Sequence, residues 1–302
     1  MASYTHVATL VSNPRAAALI ESLVANVRGI LPGAGEADWL APSITADIAF
    51  TPATAATDCR AIADTVRSTL DGAAIDVIVQ PLAGRAKKLF LADMDSTIIG
   101  QECIDELADV VGVKAHVAAI TERAMRGEIE FEPALRERVG LLKGLDASVV
   151  DQVIAERITL NPGARTLVQT LRAKGVHTML VSGGFTLFTN RIAAMTGFHE
   201  NRANELIIEA GKFAGLVREP ILGKQAKLDS LLEMRAKLAL APSGTMAVGD
   251  GANDLAMLDE AGLGFAYHAK PAVAAAADVR IDHADLTALL YAQGYRQSEF
   301  AE

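Results

Sequence analysis

The feature that most constrains this sequence is a series of short apolar segments separated by stretches with helical spacing. The first segment covers residues 89–95 (LFLADMD) and ends in acids. The later ones are 177–181 (HTMLV), 245–248 (TMAV), 263–267 (LGFAY) and 279–281 (VRI). Strands that alternate with helices predict a doubly wound α/β core, in which a mostly parallel sheet has helices on both faces. Ligands of such sheets bind beyond the carboxyl ends of the strands, so a site is expected in the loops that follow them.

The N-terminal segment has a different pattern. Strands are expected at 4–10, 35–40, 44–51 and 75–80, with helices at 15–28 and 54–70. The order β-α-β-β-α-β is that of a ferredoxin-like unit. By pattern the segment resembles an ACT-type regulatory domain. Its turn at 12–15 (SNPR) has no glycine, whereas such domains often carry one there, and this departure weakens the expectation that it binds an amino acid. We predict a small α+β domain over 1–84 and an α/β domain over 85–302.

A helical block follows the first core strand. Residues 102–160 have helical spacing almost throughout, and residues 161–163 (NPG) close the block. We expect this block, about 104–162, to form a cap inserted in the core. Residues 203–217 contain two apolar runs on either side of an Ala-Gly pair, which predicts a β-hairpin.

Composition excludes several classes of protein. The net charge of −9 argues against nucleic-acid binding, which usually needs a basic face. The two cysteines, Cys59 and Cys103, give neither a disulfide framework nor a metal-ligand spacing, and they favour a reducing cytoplasm. The first ten residues lack the pattern of a signal peptide, and no stretch approaches the roughly 18 apolar residues of a membrane span. We therefore expect a cytoplasmic protein with no nucleic-acid or membrane partner.

Acidic residues follow two of the core strands. Asp93 and Asp95 end the first strand, and Asp250 and Asp254 follow the strand at 245–248. A single aspartate in such a place usually caps a helix or shapes a turn. Four carboxylates at one sheet edge raise one another's pKa unless a cation neutralises them, and hard divalent cations prefer oxygen ligands. The set therefore predicts a divalent-cation site.

Hydrogen-bond donors for an anion lie in the remaining loops. Ser182 and the N–H of Gly183 belong to a strand-to-helix turn, which is a ready anion site. Lys227 precedes a helical run at 228–240 and would offer a positive charge to phosphate oxygens. Each of these features alone is weak, because most such turns are only turns and most such lysines are surface residues.

These segments together resemble a known family. Residues 93–97 (DMDST), Ser182, Lys227 and residues 249–254 (GDGAND) occur in the order of the four motifs of the haloacid dehalogenase superfamily. Over roughly residues 88–290 the chain is similar to the phosphoserine phosphatase family within it. That similarity also includes Glu102, 136–145 (RERVGLLKGL) and 267–271 (YHAKP). The resemblance implies hydrolysis of O-phospho-L-serine to L-serine and phosphate, the last step of serine biosynthesis, with Mg²⁺ as cofactor.

The resemblance implies catalytic and metal-binding roles. Asp93 would attack phosphorus and become an aspartyl phosphate, while Asp95 would act first as general acid and then as general base. Mg²⁺ would be held by a carboxylate oxygen of Asp93, the backbone carbonyl of Asp95 and a carboxylate oxygen of Asp250.

Binding roles are implied in the same way. Ser182, the Gly183 N–H and Lys227 would bind the phosphoryl oxygens. Asn253 would hydrogen-bond near the phosphate, and Asp254 would orient Lys227 or a metal-bound water.

Substrate selection is implied for two further residues. Glu102 would meet the substrate ammonium, and Arg138 would bind the substrate carboxylate, for which a planar guanidinium is well suited. Taken alone, Arg138 would more simply form a surface ion pair. Met125 and Phe131 are candidate apolar walls of the pocket, although such residues are more often part of a core.

Other functions stay open at this point. The same motifs would serve a phosphatase for another small ester or a phosphotransferase that passes phosphate from Asp93 to an alcohol. A different class is an inactive scaffold whose N-terminal domain senses an amino acid, although the intact Asp93, Asp95, Lys227 and Asp250 argue against it. In an active enzyme the N-terminal domain would be a candidate for regulation or for homodimer formation.

Overall fold

The computed structural model describes residues 4–54, 58–125 and 128–301, without the side chain of Met125. In the described part of the chain no helix has the length and hydropathy to cross a bilayer. Part of the helix predicted at 54–70 lies outside the described residues.

The N-terminal region forms a four-stranded antiparallel sheet with the order β2-β3-β1-β4. Its elements are β1 (His6–Ser12), α1 (Glu21–Ile30), β2 (Ala37–Ala41), β3 (Thr45–Phe50), α2 (Cys59–Thr69) and β4 (Ile75–Pro81). Alternate strand residues such as Leu10 and Ile48 pack with Val27 and Val66 of the two helices. The predicted ferredoxin-like topology is confirmed.

The first helix begins later than the sequence predicts. Helical spacing starts at residue 15, whereas α1 starts at Glu21. A single 3₁₀ turn forms at Pro14–Ala16. The chain then stays extended at Ile20, and the N–H of Leu19 donates to a carbonyl of the turn before β3, at 3.0 Å. This hydrogen bond to the sheet takes the place of the first helical turns.

The second region is built on a six-stranded parallel sheet with the order β12-β11-β10-β5-β6-β7. Its strands are β5 (Leu89–Ala92), β6 (His177–Phe185), β7 (Glu200–Asn204), β10 (Thr245–Gly249), β11 (Gly264–Tyr267) and β12 (Val279–Ile281). The helices between them are α7 (Ala164–Ala173), α8 (Thr186–Thr196), α9 (Lys224–Lys237), α10 (Leu255–Glu260), α11 (Pro271–Ala276) and α12 (Ala288–Ala292).

The helices cover both faces of this sheet. Leu89 and Leu91 of β5 pack with α9, α10 and α11, whereas Phe90 and Ala92 pack with α7, α8 and α12. This alternation confirms the predicted doubly wound core. Strand β7 was not predicted, because its sequence ENRAN is polar; it is an edge strand and only Ala203 and Asn204 are buried.

A helical cap and a hairpin interrupt the core. The cap consists of α3 (Cys103–Val110), α4 (Lys114–Met125), α5 (Phe131–Gly140) and α6 (Val149–Glu156), and the hairpin of β8 (Leu206–Glu209) and β9 (Lys212–Val217). The hairpin joins the cap through the backbone, since the N–H of Gly144 donates to Phe213 O at 2.8 Å and the N–H of Phe213 donates to Leu145 O at 2.9 Å. The exact limits of the domains and of the cap stay proposals.

The second face of the N-terminal sheet is buried against the core. Its apolar residues Val11, Ile44 and Ile78 belong to the same hydrophobic cluster as Leu289 of α12. We call this contact the N-terminal joint. It also contains a bonded carboxylate: Asp76 accepts from three consecutive backbone N–H groups at 282–284, at 2.7–3.1 Å.

Candidate active site

The first site residue is fixed by the turn that follows β5. Asp93 has an extended backbone, and its Oδ1 accepts a hydrogen bond from the Met94 N–H at 2.8 Å. The chain then bends sharply, with Ser96 at φ +55°, in the left-handed region. This bend turns the chain toward the cap while the Asp93 side chain stays at the carboxyl end of the strand.

Lys227 is buried between two carboxylates. From the first turn of α9 its Nζ reaches Asp93 Oδ1 at 2.7 Å and Asp254 Oδ1 at 2.5 Å. Burial alone lowers the pKa of Lys227, but Asp93 and Asp254 outweigh it and raise the pKa above its ordinary value. Lys227 is therefore a fixed cation beside Asp93.

The position of Asp254 depends on a glycine. Its Oδ2 accepts from the Gly251 N–H at 3.0 Å. A Cβ on Gly249 would lie 2.3 Å from Asp254 Cγ, which is closer than two non-bonded carbon atoms can approach. Only glycine at position 249 lets the Asp254 side chain fold back under the loop to meet Lys227.

Asp95 faces the opposite side of the loop. Its Oδ1 accepts from the Cys103 N–H at 2.9 Å, and its Oδ2 accepts from the Ser182 hydroxyl at 3.1 Å. Burial raises the pKa of Asp95 more than these hydrogen bonds lower it. A carboxyl group with a raised pKa can carry the proton that a general acid must donate.

Close packing defines the turn around Ser182. The Gly184 N–H donates to Ser182 Oγ at 2.8 Å. A Cβ on Gly184 would lie 2.9 Å from Asp95 Oδ2 and 3.0 Å from Ser182 Oγ. The second glycine of the Ser-Gly-Gly turn thus leaves room for the contact between Ser182 and Asp95.

Cys103 takes part through its backbone and not through its sulfur. The side chain is buried, and burial followed by the charge of Asp95 raises the pKa of the thiol far above its ordinary value. Such a thiol has almost no nucleophilic thiolate at neutral pH. Cys103 is therefore a buried residue without a nucleophilic role of its own.

Carboxylates gather at one point of the site. Asp93, Asp250 and Asp254 each offer an oxygen, and these oxygens lie within 4.8 Å of one another. Burial raises the pKa of Asp93 and of Asp250, and the charge of Asp254 raises both further. Thr97 holds Asp250 through a 3.1 Å hydrogen bond from its hydroxyl.

This donor set fits a hard divalent cation. Three crowded carboxylates have one ammonium, that of Lys227, among them. Both oxygens of Asp254 are already engaged, so Asp93 and Asp250 are the side chains best placed to ligate a metal. The carboxylate of Asp95 is bonded elsewhere, and its predicted role through the backbone carbonyl stays a prediction.

Two charged residues lie on the cap side of the site. Glu102 accepts from the Ser96 hydroxyl at 2.7 Å. The Glu102 side chain is exposed to solvent at the opening of the site. The surrounding protein still desolvates it, and this burial, followed by the charge of Asp95, raises its pKa to about 7. Arg138 is half-buried and donates to Ala134 O and the Thr121 hydroxyl, at 3.2 and 3.3 Å. Within the described ranges Arg138 forms no ion pair, so its guanidinium is available to a ligand.

Phe131 lies over the remaining part of the site. Its ring is 3.4 Å from the positions that a Cβ would take on Gly183 and on Gly223. Asn204 joins the same two loops, since its Nδ2 donates to Gly183 O at 2.9 Å and to Leu222 O at 3.1 Å. Phe131 thus lies beside two loops of the site and stays a candidate apolar wall, whereas the Met125 side chain lies outside the described residues.

Not every predicted residue makes a contact inside the site. Asn253 is exposed on the loop 249–254, with its Oδ1 against Gly251, and its role near the phosphate stays a prediction. Sequence reasoning missed the supporting contacts of Thr97, Thr121 and Asn204. Of these three residues, only Thr97 could have been identified from the sequence, because it belongs to the segment DMDST.

Comparisons with known proteins identify the family of the chain. The sequence profile of haloacid dehalogenase-like hydrolases matches residues 90–259. A phosphoserine phosphatase of Albidiferax ferrireducens is 48% identical over 224 residues, which cover 72% of this chain and 94% of that protein.

Two solved structures extend the comparison. A haloacid dehalogenase family hydrolase from Salmonella enterica has a TM-score of 0.85 at 28% identity, and the match covers 95% of this chain and 97% of the other. A phospho-aspartyl intermediate analogue of phosphoserine phosphatase has a TM-score of 0.63 at 40% identity, covering 68% of this chain and 98% of the other. The chain therefore belongs to the haloacid dehalogenase-like hydrolases, within the phosphoserine phosphatase family.

Proposed function

We propose that this protein hydrolyses O-phospho-L-serine to L-serine and phosphate through a phospho-aspartate on Asp93. The observation that carries the proposal is the arrangement of Asp93, buried beside Lys227, with Asp95 two residues away on a separate set of hydrogen bonds. In this proposal Asp93 attacks phosphorus and Asp95 transfers a proton.

The chemical steps follow from these positions. A carboxylate oxygen of Asp93 forms a bond to phosphorus as the bond from phosphorus to the seryl oxygen breaks, and Asp95 gives its proton to that oxygen. Asp95 then takes a proton from the water that attacks the aspartyl phosphate, which releases phosphate and restores Asp93. Lys227 and Ser182 stabilise the negative charge of the phosphoryl oxygens during both steps. Mg²⁺, held by Asp93 and Asp250 with the backbone carbonyl of Asp95, would neutralise part of that charge.

The charges on the cap side indicate the substrate. Glu102 offers a carboxylate to an ammonium group, and Arg138 offers a guanidinium without an ion-pair partner among the described residues to a carboxylate. A phosphate ester that carries both groups on a short chain matches this pair. On this basis we propose that the protein performs the last step of serine formation in the cytoplasm.

The test is phosphate release from a panel of small phosphate esters with Mg²⁺, beside Asp93→Asn. We expect O-phospho-L-serine to lead the panel, the variant to be inactive, and EDTA to remove the activity. If another ester leads, Asp93 keeps its role but Glu102 and Arg138 are misassigned. No release from any ester by protein shown to be folded would favour a sensor without catalysis.

A further inference from the structure

The pairing of two strands is interrupted beside the Ser182 turn. Strands β6 and β7 pair in regular register up to Val181, and the register then shifts before Phe185, which lies opposite Asn204. The residues in between, 182–184, include donors that bind the phosphoryl group in the proposed function. Irregular pairing of this kind occurs next to active sites, where it changes the direction of a side chain or ends the ladder. Bonds other than those of the strand ladder must therefore hold this turn.

The side chain of Asn204 supplies such bonds. It is buried, and its Nδ2 donates to Gly183 O at 2.9 Å and to Leu222 O at 3.1 Å. Its Oδ1 accepts from the Leu222 N–H at 2.7 Å. An amide group has two N–H donors, and both are used here. One buried side chain thus ties the turn and the segment that leads into α9 to the end of β7.

The bond to Gly183 O acts on the Ser182 hydroxyl. Gly183 O and the Gly184 N–H belong to one planar peptide group and point in opposite directions. Asn204 holds the oxygen of this peptide, and the N–H donates to Ser182 Oγ at 2.8 Å. Ser182 in turn donates to Asp95 Oδ2 at 3.1 Å. Because two consecutive glycines have a wide choice of backbone angles, this peptide could rotate without the bond from Asn204.

The bonds to Leu222 act on the opposite side of the site. Leu222 lies two residues before α9, whose first turn carries Lys227. In the proposed function the Ser182 turn and Lys227 bind oxygens of the same phosphoryl group. A small shift of one against the other would misplace a donor, and misplacement of this kind slows a reaction strongly. Asn204 contacts both segments and so fixes the distance between them.

We propose that Asn204 is a positioning residue of the active site, which directs the Ser182 hydroxyl through the Gly183–Gly184 peptide and fixes its distance from Lys227. This inference rests on the proposed phosphatase function, in which Asn204 contacts neither the substrate nor the metal. Its role is separate from the selection of substrate by the cap, so its loss should affect all phosphate esters alike.

The first test is the variant Asn204→Ser, which removes both amide donors and leaves room for water. We expect kcat/KM to fall about 10- to 100-fold for O-phospho-L-serine and for p-nitrophenyl phosphate alike, because the reacting groups are misplaced. Asn201→Ser is the matched control and should leave kcat/KM unchanged. Asn201 lies on the same strand, but its Oδ1 accepts from the Thr189 hydroxyl of α8, at 2.7 Å, and not from the turn.

A double-mutant cycle with Ser182→Ala separates positioning from a general loss of structure. If Asn204 acts through Ser182, the effect of Asn204→Ser should shrink to about threefold or less once the hydroxyl is absent. A variant that only lowers the folded fraction would lose the same factor in both backgrounds. That result would overturn the proposal, and so would wild-type kcat/KM in Asn204→Ser.

Asn204→Asp is a second variant, which keeps the shape and the acceptor of the amide but has no N–H donors. It should show the same loss of kcat/KM. Unfolding of both variants, measured by circular dichroism, would mean that Asn204 holds the fold and would overturn the positioning role. Absence of activity in the wild-type protein would refute the proposed function together with this inference, whereas unchanged activity in the variants would refute this inference alone.

Discussion

The core is joined to two other regions by different kinds of interaction. At the N-terminal joint, Arg85 and Asp47 form a two-bond ion pair at 2.6 and 2.9 Å, with side chains only 13% and 10% exposed. Between cap and core, Arg136–Glu219 and Arg191–Asp151 form ion pairs in the described part of the chain, and all four side chains are 39–66% exposed. The Arg85–Asp47 pair at the N-terminal joint is thus shielded from water, whereas the cap is held partly by pairs that water can replace.

This difference separates a fixed contact from one that can open. Breaking a buried ion pair leaves a charge without water, at a cost of about 3–5 kcal/mol, whereas an exposed pair contributes about 0–1 kcal/mol. In the proposed function substrate enters beneath the cap, and the exposed ion pairs would allow that movement. The N-terminal sheet has no such requirement. Both regions share the hydrophobic cluster of the core, so the difference between them lies in their ion pairs.

The largest effect is expected at the N-terminal joint. Arg85 also donates to the backbone carbonyls of Tyr291 and Ala292. Arg85→Ala should lower the free energy of unfolding by about 3–5 kcal/mol, because Asp47 and these carbonyls lose their donor. Denaturant unfolding measures this change in the free energy of unfolding.

Arg296→Ala is the matched control, since the pair of Arg296 with Asp38 spans the same joint but is about half-exposed. This variant should lower the free energy of unfolding by at most about 1 kcal/mol. Equal losses of unfolding free energy in the two variants would show that the buried pair contributes no more than the exposed one.

The next effect concerns substrate binding by the cap. Arg138→Ala should lower kcat/KM for O-phospho-L-serine by about 2–3 kcal/mol, roughly 30- to 150-fold, because the substrate carboxylate loses its partner. Turnover of p-nitrophenyl phosphate, which has no carboxylate, should change little. Steady-state kinetics with both substrates measure the two changes. Equal losses of kcat/KM would show that Arg138 stabilises the cap and does not bind the substrate carboxylate.

A smaller effect is expected from Glu102. Its pKa of about 7 lies above the ordinary value of 4.5, so the folded protein binds this proton more tightly than the unfolded chain does. The stability that this proton contributes is lost as the pH rises through 7, and ionised Glu102 is then unfavourable. In metal-free buffer Glu102→Gln should therefore raise the free energy of unfolding at pH 8 by about 0.5–1 kcal/mol, a figure reduced for solvent screening. The gain should shrink at pH 5; the same gain at both pH values would contradict the raised pKa.

The smallest effect is expected between cap and core. Arg136→Ala removes an exposed pair with Glu219 and should change the free energy of unfolding by less than about 0.5 kcal/mol. A double-mutant cycle with Glu219→Ala measures the coupling. A coupling above about 2 kcal/mol would mean that the cap is held as firmly as the N-terminal sheet.

Much of the fold could be predicted because apolar periodicity is local. The strands of the core and the ferredoxin-like order follow from it, whereas β7 does not, because an edge strand can be polar. The burial of the second face of the N-terminal sheet could not be predicted either. Thr9 and Asp47 alternate with apolar residues and resemble a solvent face, yet both are buried and bonded to each other at 2.6 Å. Polar groups that are satisfied across a joint cannot be told from exposed ones by pattern.

The candidate site shows the same limit. Its acids were visible because they follow strands, and Lys227 gained meaning only from the resemblance to a family. The contacts of Thr121 with Arg138 and of Asn204 with Gly183 join different elements, 17 and 21 residues apart, so no helical or strand period indicates them. What the sequence concealed is the set of residues that hold the reactive groups in place.

The hairpin that pairs with the cap limits how the cap can move. An insertion attached only at its two neighbouring ends, where Ile99 pairs with Leu160, could swing in several directions. The backbone bonds at Gly144 and Leu145 add a distant third point of attachment. The two neighbouring ends act as one place of attachment and the hairpin as another, so a rigid cap keeps one degree of freedom, rotation about the line between them. Opening of this cap should accordingly follow a single path, and each closure should return Phe131 and Arg138 to the same positions.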